Sequence, residues 1–234
     1  PIDRWRFAGY NIPKLKKVSD TKMKKILFQG DSITDVCRSR TNPNGADGMG
    51  CGYPLLVKAR LGFDCPGEYE IENRGISGNR VVDLYARIKC DMLNVAPDCL
   101  SILIGVNDVW HDLGDCPNGV SAPKFERVYD MLLDEVQEAL PNVRLMILEP
   151  FVLPGTATKV EEEPARWAFF ASEVPLRAQA ARRVAERHGA TFIPLQARFD
   201  EACRLAEPGY WLRDGVHPTP MGHELIAREW MKAF

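Results

Sequence analysis

Apolar positions in this chain follow two rhythms. Short apolar-rich runs recur at Lys25–Gln29, Tyr69–Asn73, Cys99–Ile104, Arg144–Leu148 and Thr191–Leu195. Runs that do not strictly alternate suit strands covered on both faces. Pro194 puts the fifth toward a sheet edge or a strand end, because proline gives no N–H to a ladder. Between the runs, Val81, Leu84, Tyr85, Ile88 and Met92 recur at intervals of three and four, as do Val128, Met131, Leu132, Val136 and Leu140. That spacing predicts helices. Residues 164–188 are rich in alanine and arginine and stop at Gly189, with a break or kink expected at Pro175. Thr219-Pro220 predicts the cap and first position of a last helix. Strands alternating with helices predict βαβ units: an α/β fold in three layers, about five parallel strands with helices on both faces.

Composition narrows the class. The 234 residues are 45% apolar, enough for a core without disulfide or metal staples. Thirty Lys+Arg against 32 Asp+Glu leave a net charge of −2, so no global field draws nucleic acid. No apolar run approaches the roughly 18 residues of a membrane span, and no signal-peptide core opens the chain. Residues 1–22 fall outside the alternation and carry a basic run that reads as a solvated face. They are expected to be an N-terminal arm or an expression remnant, with Met23 as a natural start and 23–234 as one domain. The seven cysteines are odd in number and lack a C-x-x-C pair. They are expected to be mostly buried, reduced thiols in a cytoplasmic protein.

In an open parallel sheet, ligands bind beyond the carboxyl ends of the strands. The first run is followed by Gly30-Asp31-Ser32-Ile33-Thr34-Asp35, and the second leads into Asn73-Arg74-Gly75-Ile76-Ser77-Gly78-Asn79. The third leads into Gly105-Val106-Asn107-Asp108, and Asp214-Gly215-Val216-His217-Pro218 stands before the last helix. Each has a plain reading alone: a helix cap, a flexible loop, a turn, a surface pair. Together they suit acyl transfer. A serine hydroxyl needs a base within hydrogen-bond reach, and a carboxylate fixes the tautomer of that base. Ser32 is then the nucleophile, His217 the base and Asp214 its orienting carboxylate. The backbone N–H groups of Ser32 and Gly78 and the side-chain amide of Asn107 are the expected oxyanion donors. The positive end of the helix after Ser32 is expected to add to that field.

Four blocks, F-Q-G-D-S-I-T-D, N-R-G-I-S-G-N, G-V-N-D and D-G-V-H-P, occur in this order from Met23 onward. They resemble the blocks of the SGNH/GDSL hydrolase superfamily, in its bacterial esterase type. The resemblance implies a flavodoxin-like three-layer fold with Ser32, Gly78, Asn107, Asp214 and His217 in those roles. The G-x-S-x-G elbow of α/β-hydrolases is absent.

Asp31, Trp110 and His111 are further candidates for the substrate pocket. His223 is expected to be structural or exposed, and His188 lies near a helix end. Gly48–Gly52 reads as a loop shaping the next helix and not as a dinucleotide loop. Zinc on Asp214, His217 and His223 lacks a fourth ligand, so no metal and no cofactor are expected. The loops at 109–120 and 151–163 mix aromatic and polar side chains with few long aliphatics. That suits a short-chain ester, acetyl by preference, on a small molecule or carbohydrate. A lysophospholipase or thioesterase of the same superfamily is the alternative enzyme, and a non-catalytic flavodoxin-like binding module the alternative of another class. Homo-oligomerisation stays open.

Overall fold

The computed structural model describes residues 22–234 apart from 44, 46 and 160; all but the last residue of the expected N-terminal arm lies outside the described residues. Five parallel strands form one sheet: β1 (Lys24–Gly30), β2 (Tyr69–Asn73), β3 (Cys99–Leu103), β4 (Arg144–Leu148) and β5 (Thr191–Ile193). They lie in the order β2-β1-β3-β4-β5. Each matches one apolar run. β5 is an edge strand and stops before Pro194, as a residue without an N–H requires. The chain leaves β1 for β2 on one side and returns to β3 on the other. The order therefore reverses between β1 and β3, where an open α/β sheet has its crevice.

Successive residues of β1 face opposite layers. Ile26 and Phe28 pack with Tyr53, Val57 and Leu61 of α2 (Tyr53–Asp64) and with Ile226, Ala227 and Trp230 of α9 (Pro220–Ala233). Leu27 of β1 and Leu100 and Ile102 of β3 pack on the other face. They meet Val81 and Leu84 of α3 (Val81–Ala86), Phe125, Tyr129 and Leu132 of α5 (Ala122–Ala139), and Ala181 and Val184 of α6 (Pro164–Arg187). Ser101 is the polar residue of β3, and the Trp230 indole N–H donates to its hydroxyl at 3.0 Å. A buried hydroxyl is tolerated there because it has a partner.

Four expectations change. The periodic stretch 81–92 is not one helix: α3 ends at Ala86 and a π-helical turn covers Lys89–Leu93. α6 runs unbroken through Pro175. Proline frees the carbonyl four residues back, here that of exposed Ala171, while buried Phe170, Val174, Arg177 and Ala178 hold the turns on either side. The helix after Ser32, α1 (Ser32–Asp35), is a single turn, so no long macrodipole stands behind the serine. The cysteines are not mostly buried either: Cys99 is, but Cys37, Cys51, Cys90 and Cys116 are exposed. No helix among the described residues is long and apolar enough to cross a membrane.

Candidate active site

The reversal of strand order brings the ends of β1 and β3 side by side. β1 delivers Gly30-Asp31-Ser32. A Cβ on Gly30 would lie 2.4 Å from the Leu103 carbonyl oxygen, so only glycine lets the first turn close against β3. Asp31 caps α1, its carboxylate accepting the Ile33 N–H at 2.9 Å. Ser32 stands half-buried at the start of that turn, and its Oγ lies 3.0 Å from His217 Nε2.

His217 arrives from the far end of the chain. A short antiparallel bridge pairs Leu212 with Pro218, after α8 (Pro208–Trp211) and before α9, and the loop between them carries Asp214 and His217. Asp214 Oδ2 lies 2.8 Å from His217 Nδ1, while its Oδ1 accepts the backbone N–H groups of Val216 and His217 at 3.0 and 2.8 Å. Burial alone would raise this carboxyl; the hydrogen bonds from His217 and Val216 outweigh it and hold the group down to about 2. An ionised carboxylate only accepts, so Nδ1 carries the ring proton and Nε2 offers its lone pair to the serine hydroxyl. Such an arrangement can draw a proton from Oγ as oxygen attacks.

Gly78 has φ +83°, which disfavours side chains, and a Cβ there would meet nothing within 4 Å. The N–H groups of Ser32 and Gly78 have no acceptor among the described residues. Asn107, on α4 (Val106–Trp110), donates one amide hydrogen to the Asn79 carbonyl at 3.2 Å, which ties it to the Gly78 loop and leaves its second hydrogen over.

Three polar residues that were not singled out lock these turns together. Asp35 accepts the N–H and hydroxyl of Ser77 at 2.9 and 3.0 Å. Burial opposes its charge, yet those bonds and the Arg40 guanidinium bring its carboxyl below the ordinary range. Asn73 donates to the carbonyls of Thr34 and Met49 and accepts the Gly75 N–H. Asp108 accepts the Val81 N–H at the start of α3, and burial pushes its carboxyl well up. All three belong to the motif blocks already quoted.

The pocket candidates separate. Asp31 is 1% exposed and lies beneath Ser32 instead of lining an opening, and burial pushes its carboxyl up to about 7 against the pull of the Ile33 N–H and of His217. His111 stands beside Arg80 and Asp83, its pKa lowered chiefly by desolvation. Trp110 reaches the site: its ring centroid is 6.0 Å from that of His217 and 5.6 Å, edge-on, from Phe170. The Arg166 guanidinium carbon lies 5.8 Å from the Trp110 ring and 5.9 Å from Phe170. His223 is buried, and its Nδ1 accepts the Tyr53 N–H at 3.2 Å, supplying the cap that Gly52 cannot give α2. Burial lowers its pKa to about 4. His188 closes α6, its ring against Asp130 and Gln137.

Known proteins share this framework. An acetylxylan esterase from Geobacillus stearothermophilus is 34% identical over 212 residues, 89% of this chain and 92% of that one. The crystal structure of a protein named as a GDSL-like lipase from Parabacteroides merdae superposes with a TM-score of 0.80 at 38% identity, covering 93% of this chain and 98% of that one. A crystal structure of a catalytic mutant of the G. stearothermophilus esterase gives 0.77 at 32% identity, over 90% and 93%. The model of the GDSL-like lipase/acylhydrolase family matches residues 28–225. On that match the chain belongs to the GDSL-like lipase/acylhydrolase family and is a hydrolase of ester bonds.

Proposed function

We propose that the chain is a serine esterase removing short acyl groups, acetyl above all, from carbohydrates by way of an acyl-enzyme on Ser32. The observation that carries this reading is the unbroken path from Ser32 Oγ to His217 Nε2 at 3.0 Å and from His217 Nδ1 to Asp214 at 2.8 Å. Ser32 Oγ attacks the ester carbonyl carbon while His217 Nε2 takes its proton. The resulting oxyanion is met by the N–H groups of Ser32 and Gly78 and by the spare hydrogen of the Asn107 amide. His217 then protonates the departing sugar oxygen as the carbon–oxygen bond breaks. Water, deprotonated by the same nitrogen, releases the acid and restores Ser32. Asp214 keeps its negative charge throughout and stabilises the imidazolium.

Support for a carbohydrate substrate comes from the mixed aromatic and polar lining around Trp110 and from the related acetylxylan esterase. The test is a series of p-nitrophenyl esters of increasing chain length beside an acetylated xylo-oligosaccharide. The expected result is the highest kcat/KM on acetate, falling steeply beyond butyrate, with acetate released from the sugar. A preference for long chains would overturn it in favour of a lysophospholipase.

A further inference from the structure

The aromatic row that begins at His217 ends on a cation the acyl-transfer steps do not use. We propose that Arg166 anchors a carboxylate on the substrate, so that the preferred ester is carried by an acidic sugar, a uronate. This deepens the carbohydrate-ester reading and rests on it.

The guanidinium sits over the rings of Trp110 and Phe170, and its Nε donates to the Ala157 carbonyl at 2.9 Å. Loose cation–π contacts with the two rings and that one bond hold the guanidinium beside Trp110. Its two terminal nitrogens hold no hydrogen bond or ion pair among the described residues. Arginines on the opposite flank differ. Arg80 is spent on Asp83 and the Asn118 carbonyl, and Arg87 on Asp91, Asn79 and the Arg74 carbonyl. Arg38 also commits only its Nε, to the Gly75 carbonyl, but it is buried, whereas Arg166 is half-buried. A planar fork with both ends open matches a carboxylate.

The surrounding charges do not cancel it. Glu163 acts on Arg166 but pairs with Lys159, and the Asp214 carboxylate is engaged by His217. Arg213, whose side chain is 69% exposed, stands 3.9 Å from Asp214 and adds a second positive group near the base. An anion bound beside Trp110 therefore meets the Arg166 guanidinium, and the two carboxylates seen to act near it, Glu163 and Asp214, already have partners.

The experiment compares methyl glucoside and methyl glucuronide, each carrying one acetyl group on the same hydroxyl. The acidic sugar is expected to show a kcat/KM about five- to tenfold higher, mainly through KM, and the advantage should shrink with added salt. Arg166→Gln should bring the ratio close to one, Arg166→Glu should invert it, and Arg166→Lys should fall between. Arg183→Gln removes a cation on the same helix that pairs with Glu126, and should leave both activity and ratio as they were. Equal turnover of the two sugars, or a preference that survives Arg166→Gln, would overturn this inference alone. Turnover of p-nitrophenyl acetate with neither sugar hydrolysed would overturn the carbohydrate reading and this inference with it.

Discussion

Two aspartates flank the same serine–histidine pair, and their surroundings treat them in opposite ways. Asp31, in the turn after β1, is fully buried and accepts one backbone N–H from a neighbour; its carboxyl is pushed up to about 7. Asp214, in the loop between Leu212 and Pro218, accepts two backbone N–H groups and the His217 ring; its carboxyl is held down to about 2. Burial works against charge at both positions. The count and quality of donors decide the outcome. The β1 turn thus keeps a neutral acid under Ser32 at mildly acidic pH, while the loop between Leu212 and Pro218 keeps a fixed negative charge behind His217.

The sharpest way to break this comparison is to remove the groups it serves. Ser32→Ala and His217→Ala should each lower kcat on p-nitrophenyl acetate by at least about 10⁴-fold, with unchanged circular dichroism. A serine-directed organophosphonate should add mass to the Ser32 peptide alone; labelling at Ser77 would sink the assignment. Asp214→Asn should lose less than His217→Ala, because a base remains, though able to adopt the wrong tautomer. Next in size is Asn107→Ala, expected to cost about 10²–10³ in kcat with KM little changed. A large KM rise at constant kcat would make Asn107 a binding group only.

Stability against pH separates the two aspartates directly. Folded Asp31 keeps its proton up to about pH 7, but in the unfolded chain the proton leaves near the ordinary 3.8. Its contribution to stability therefore falls as pH rises across that window. Asp31→Asn mimics the protonated form and still caps α1, so it should gain on the wild type in urea unfolding between pH 4 and 7. Asp214 has the reverse sign. Its stabilisation is complete above about pH 4 and lost as pH falls toward about 2, and Asp214→Asn should erase that acid loss. Parallel profiles for the two variants would overturn the contrast. The smallest effect on activity belongs to His223. His223→Leu leaves the Tyr53 N–H without an acceptor, costing about 1–3 kcal/mol in unfolding, while turnover should stay near wild type.

The strands were legible because burial on both faces leaves near-continuous apolar runs, and the turns after them because few residue types suit a tight turn or an oxyanion donor. The interlocking residues were not. Asp35, Asn73 and Asp108 satisfy backbone groups of other loops, and no local pattern says which N–H or carbonyl a fold will leave unpaired. Pro175 misled for a related reason: the rule counts a lost hydrogen bond, whereas the packing of Phe170, Val174 and Ala178 holds the helix across it. His223 falls within the last helix that Thr219-Pro220 predicts, but its partner lies 170 positions away. Nothing within an arginine-rich helix marks Arg166, because its nearness to Trp110 arises only in the fold.

Ser32 and His217 are separated by 185 positions along the chain, and His217 is held by the segment that leads into α9. During synthesis the five strands and Ser32 emerge before His217. Under the proposed mechanism a nascent or truncated chain carries a silent nucleophile. Under that mechanism the pair forms only once the segment ending in α9, whose Trp230 packs against Phe28, is in place.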